Sequence, residues 1–95
     1  MRITIKDLEV KIDYLNWLTA SPLKKYLPDS NGGLVEQIGN YHLDIANGGY
    51  QLQRFVKGGG SSEPLNTGLT TKKNLWYAID NYERGILAAQ TTKEA

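Results

Sequence analysis

Apolar and polar residues alternate most regularly between Asn40 and Lys57, NYHLDIANGGYQLQRFVK. A period of two predicts two strands, and Asn47-Gly48 between them suits the positive φ angles that a type I′ hairpin turn requires at both central positions. That turn sets the register: Ala46 faces Gly49, Ile45 faces Tyr50, Leu43 faces Leu52 and Tyr41 faces Arg54. Tyr41, Leu43, Ile45, Tyr50, Leu52 and Val56 then share a dry face, and His42, Asp44, Gln51 and Gln53 share a hydrated one.

Two longer segments change to a helical period. From Thr4 to about Ala20, Ile5, Leu8, Ile12, Leu15 and Leu18 form one stripe, with Lys6, Glu9, Asp13 and Asn16 opposite. Thr4 followed by Asp7 has the spacing of a capping box, and Ser21-Pro22 closes the helix because the residue before proline is pushed out of the α region. The second helix is expected from about Thr71 to Ala89, with Thr70 or Thr71 as its N-cap and Leu75, Ile79, Tyr82 and Ile86 buried. Ala78, Gly85 and Ala89 lie along an edge of that stripe, where a packing reason is expected for a glycine that costs about 1 kcal/mol against alanine.

The intervening stretches are read from their turn formers. Pro28 to Gly33 separates a short strand at Lys24–Leu27 from one at Leu34–Ile38, and Gly39-Asn40 would turn the latter into the main hairpin as a meander. Residues from Gly58 to Gly68 are expected to form a long exposed loop, and Gln90 to Ala95 a frayed end. The predicted architecture is one α+β domain over residues 1–95 in the order α-β-β-β-α. Both helices pack on one face of a three- to four-stranded antiparallel sheet.

Composition narrows the chemistry. With no cysteine among 95 residues, disulfides, thiolate metal sites and cysteine nucleophiles are excluded. MRITIKDLE has no apolar leader core, and no run approaches a membrane span, so neither secretion nor insertion is expected. The formal net charge of +1 argues against a grip on long nucleic acid through the overall field. Locally, however, Arg54, Lys57, Lys72 and Lys73 face only Glu63 between residues 54 and 73.

His42 and Asp44 share a strand face, but two ligands do not fill a three- or four-ligand metal site, and sequence places no serine to be activated by that pair. Neither a metal, a cofactor nor an enzyme activity is expected. The favoured candidate site is cationic: Arg54, Lys57, the loop residues Gly58, Gly59, Gly60, Ser61 and Ser62, and the helix start Thr70, Thr71, Lys72 and Lys73, where free N–H groups favour an anion. Gly58–Ser62 lacks the GxxxxGK[ST] spacing of a Walker loop. Arg54 falls on the apolar face opposite Tyr41, either lying over that ring or reaching a pocket beside Lys57; Tyr41 and Tyr50 would stack on a base in the second case. Val10, Tyr14 and Trp17 make a second apolar strip, either covered by a neighbouring loop or serving as a partner or self-association surface.

ITIKDLE near the start, GNYHLD followed by NGGY, the GGG after it and TKKNLWYAI in the last helix resemble a set of short phage and prophage proteins of uncharacterised function. The resemblance runs from Ile3 to about Ile86 and implies expression in a bacterial host cytoplasm and action by sequestration. The leading expectation is therefore a non-enzymatic protein that sequesters a small anionic ligand, most simply a nucleotide. The alternative is an inhibitor or adaptor of a host protein, acting through Val10, Tyr14 and Trp17 or the outer hairpin face. A third reading is weak nucleic-acid binding through the same basic patch.

Overall fold

The computed structural model describes the backbone of residues 2–94 and the side chains of residues 2–90. Helix α1, Ile5–Leu18, starts on the expected capping box: Asp7 N–H donates to Thr4 Oγ1 at 3.1 Å and Thr4 N–H to Asp7 Oδ2 at 2.8 Å. At its other end Ala20 adopts a left-handed conformation at φ 55°. Ser21 N–H reaches back to the Asn16 carbonyl and Ala20 N–H to that of Trp17, the bond pattern of a Schellman cap.

Strands β1, Tyr26–Pro28, and β2, Leu34–Glu36, follow as a short antiparallel arm. Its turn is organised by the Asp29 carboxylate, which accepts from Asn31 N–H at 2.9 Å and Gly33 N–H at 2.8 Å. β3, Tyr41–Ala46, and β4, Gly49–Phe55, form the main hairpin in the expected register throughout. Asn47 and Gly48 take φ 50° and 76°, as the turn type demands. Gly49 is required for a different reason: a Cβ there would lie 2.8 Å from Leu69 Cβ, because residues 69–70 cross the hairpin at that point.

The strand that completes the main sheet differs from the one expected. β2 stays in its own two-stranded sheet, and the third strand beside β4 is β5, Ser61–Ser62. Gly58, Gly59 and Gly60 all have φ near 90°, which lets the chain reverse at once and run back along β4. Glycine spacing without an alternating apolar pattern hid this turn, since neither serine is buried. Thr70 then pairs with Tyr50 through two backbone bonds of 2.8 and 2.9 Å.

Helix α2, Lys72–Glu94, extends past the boundary expected at Ala89, while Ala95 lies outside the described residues. Leu8, Ile12 and Leu15 of α1, Leu75 and Ile79 of α2, and Tyr41 and Leu52 of the hairpin form the core with Ile3. Burial of each aliphatic side chain there contributes roughly 1.5–3 kcal/mol. Ile5, expected in the buried stripe, is exposed, as is Ile45 at the hairpin tip. Gly85 has open space where a Cβ would stand, so the described residues supply no packing reason for it.

The outer hairpin face is not fully hydrated. Phe55 projects there and is 4% exposed, with His42 at 4.4 Å and Tyr26 at 5.8 Å between ring centroids. The β1–β2 arm thus covers one end of it. Burial, reinforced by the nearby Lys25 charge, lowers the His42 pKa below its ordinary 6.5.

Asn16, expected on the polar side of α1, is 1% exposed and joins the helix to the sheet. Its Oδ1 accepts from Tyr41 N–H at 2.8 Å, and its Nδ2 donates to the Tyr41 carbonyl at 2.9 Å. Asn16→Ala leaves both backbone groups buried without partners. We expect it to lower unfolding free energy by about 2 kcal/mol, since an orphaned buried group costs about 1–3 kcal/mol, read as a reduced urea midpoint with an unchanged slope.

Candidate functional site

The hairpin register carries Arg54 next to Tyr41, and packing decides its direction. Its guanidinium lies over the Tyr41 ring at 4.7 Å, and Nε donates to the Gly39 carbonyl at 3.1 Å. Tyr41 is 2% exposed and its hydroxyl stands 3.2 Å from that of Tyr82. Burial, together with that hydroxyl, pushes the Tyr41 pKa up to about 12 despite the opposing Arg54 charge. The phenol is therefore a neutral structural element whose ring is already covered, and not a stacking surface for a base.

Beyond the ring, Arg54 lines a surface cavity of about 270 Å³ with Lys57, Ser62, Ile38, Gly39, Phe55 and Val56. The lining holds two cations and no carboxylate. Neither cation forms an ion pair among the described residues. The hairpin of β4 and β5 is what assembles them, because Arg54 pairs with Ser62 across the ladder. Gly58, Gly59, Gly60 and Ser61 form the exposed turn and strand start beside the cavity without lining it.

The helix start stands elsewhere. Thr71 is the N-cap, its Oγ1 accepting from Asn74 N–H at 3.1 Å, and Thr70 Oγ1 accepts from Asn74 Nδ2 at 3.3 Å. Lys72 packs its ammonium 5.6 Å from the centre of the Tyr50 ring, and Lys73 is exposed. Tyr50 and Arg54 are four residues apart on β4, about 13 Å. The single cationic pocket expected from sequence is thus divided between two ends of one strand, and Thr70, Thr71, Lys72, Lys73 and Tyr50 do not line the Arg54 cavity.

A second group of polar residues lies where the helices meet. Lys11 Nζ donates to Asp80 Oδ1 at 2.6 Å and stands 3.0 Å from Glu83 Oε1, while Arg84 Nε holds Asp80 Oδ2 at 2.8 Å. Glu83 is 2% exposed, and the Lys11 pairing lacks hydrogen-bond geometry, so among the described residues both carboxylate oxygens are without a hydrogen bond. Burial raises the Glu83 pKa, partly offset by Lys11; the hydrogen bond from Lys11 lowers that of Asp80. The signal for this cluster was present in the spacing, since Glu83 lies four residues after Ile79 on the edge of the apolar stripe.

Lys11 also borders an open groove of about 550 Å³ with Ile3, Asp7, Val10, Tyr14 and Trp76, and its ammonium lies 4.4 Å from the Trp76 ring. Val10, Tyr14 and Trp17 are uncovered, at 56, 40 and 68% exposure, so no loop of the described chain shelters the strip. Among the described residues no group of three or more metal-ligating side chains comes together, and no helix is long and apolar enough to cross a membrane.

No protein-family model, curated protein or solved structure matches the chain. The fold is an α+β arrangement of two helices on an antiparallel sheet with a short strand-pair arm.

Glu83 gives the fold a pH dependence of definite sign. Because its folded pKa is raised above 4.5, the stability associated with its proton is complete below 4.5 and declines as pH rises through the raised value. Glu83→Gln should abolish that decline. His42, lowered from 6.5, adds a rising contribution common to both proteins, so the wild-type urea midpoint should fall relative to that of the variant as pH increases from 4.5; Asp80, lowered from 3.8, acts only below this window.

Proposed function

We propose that the protein is a non-enzymatic binder of a small anionic ligand, held at the cavity between the β2–β3 and β4–β5 turns. The observation that carries this reading is the pairing of Arg54 and Lys57 in a cavity lined by no acidic residue. Arg54 Nε is occupied by the Gly39 carbonyl and its plane is fixed by the Tyr41 ring, while no hydrogen bond among the described residues engages the terminal nitrogens. A planar cation fixed in this way can donate two parallel bonds to a phosphate or carboxylate. Lys57 adds a mobile point charge, and Ser62 a hydroxyl. Phe55, Val56 and Ile38 would hold the uncharged part of the ligand.

A cavity of about 270 Å³ lies at the lower end of the range for small-molecule sites. That size favours a mononucleotide or a smaller phosphate ester over a dinucleotide. Sequestration of such a ligand is the activity that the resemblance to short phage proteins implies, and it requires no catalytic group.

Isothermal titration with inorganic phosphate and a panel of mono-, di- and cyclic nucleotides tests the reading. A saturable heat is expected for at least one phosphate ester. Lys57→Ala should weaken it by about tenfold, equivalent to about 1.4 kcal/mol, without changing the urea midpoint. Arg54→Gln should abolish it. Absence of heat across the panel, or binding unchanged in both variants, overturns the assignment.

A further inference from the structure

We propose that the exposed face of α1 is an isologous dimer interface, in which Trp17 of each copy enters the groove of the other. Trp17 is 68% exposed, the largest side chain so displayed, and it is held against Tyr14 by a stacked ring contact of 5.8 Å. Beside it on the same face is the groove lined by Ile3, Val10, Tyr14 and Trp76. A projecting indole and an aromatic-lined recess on one surface are the two halves that a two-fold interface needs.

The spacing makes them complementary. Trp17 follows Val10 by seven residues, about 10 Å of helix axis, and on the other side the helix begins at Ile5, about 8 Å from Val10, with Ile3 just before the Thr4 cap. A two-fold axis close to Val10 therefore sets two α1 helices antiparallel and brings each Trp17 over the partner's Ile3 end. Helical side chains lean toward their own N-terminus. In this arrangement that lean carries the indole inward, over the groove between Ile3 and Val10. Asp7 lines this part of the groove, and its Oδ1 has no hydrogen bond among the described residues, leaving an acceptor for the indole N–H.

Charge singles out a second copy as the occupant. Lys6 and Asp13 are seven residues apart and border the strip on one side; both are exposed and neither forms an ion pair among the described residues. Antiparallel packing about Val10 lays that flank against itself, so Lys6 of each copy meets Asp13 of the other. Two unlike pairs follow from one symmetry operation. Lys11 is already engaged by Asp80 and Glu83 and stays at the groove wall.

Sedimentation equilibrium across a dilution series tests the proposal, with the interface substitutions at Lys6, Val10, Asp13 and Trp17, all exposed. Trp17→Ala and Val10→Asp should each raise the dimer dissociation constant by at least about tenfold, as loss of a central interface anchor does. Lys6→Asp and Asp13→Lys should each weaken the dimer alone, and together restore it. In a Trp76→Phe background, where Trp17 is the remaining indole, its emission should shift to shorter wavelength on association. A wild type that stays monomeric throughout, including one whose groove takes up a different apolar molecule, overturns the proposal. So does a dimer unaffected by Trp17→Ala, or a double charge exchange that fails to rescue.

Discussion

One carboxamide sets the arrangement on which the rest depends. Asn16 satisfies both backbone groups of Tyr41 with a donor and an acceptor, much as another strand would, but from the side of a helix. It closes the start of the β3 edge and fixes α1 against the sheet. Because both groups are buried, sliding the helix by a turn would leave two orphaned polar groups, a penalty comparable to losing a core side chain. With Tyr41 held in place, its ring supports the Arg54 guanidinium, and Arg54 in turn forms one wall of the cationic cavity. The helix-to-sheet contact and the candidate site are links of the same chain.

Much of this was legible in the order of residues, and the exceptions share a cause. The hairpin register, the Asn47-Gly48 turn and the Thr4–Asp7 cap depend on local geometry, so near neighbours determine them. The place of β5 does not: a two-residue serine strand carries no periodicity, and its pairing follows from glycines turning through a region that other residues avoid. Asn16 and Glu83 each border an apolar stripe, where sequence leaves open whether a polar side chain points to water or to a partner. Their partners lie far along the chain, at Tyr41 and Lys11. Phe55 was missed because the arm that buries it was assigned to the wrong sheet.

The same distinction applies to the candidate site. Arg54 and Lys57 belong to one turn and remain together, as their proximity in sequence implied. Lys72 and Lys73 are joined to them in the sequence by local charge and by the anion-favouring start of a helix. In the fold, an extended strand of about 13 Å separates the two groups, and a tyrosine ring already occupies the Lys72 ammonium. Charge density along a sequence is thus a poor guide to charge density in space when a rigid strand separates its parts.

The ion pair between the helices also bears on how the protein is made. Lys11 and Asp80 are 69 residues apart, so α1 leaves the ribosome long before the groups that neutralise it exist. The hairpin can close from neighbouring residues while synthesis continues, with little loop entropy to overcome. The first helix instead waits, its ammonium hydrated and its apolar stripe only partly sheltered, until α2 arrives. A nascent chain stalled before residue 80 would therefore display the very surface that the folded molecule conceals, which makes the time before α2 emerges the interval in which a chaperone has most to hold.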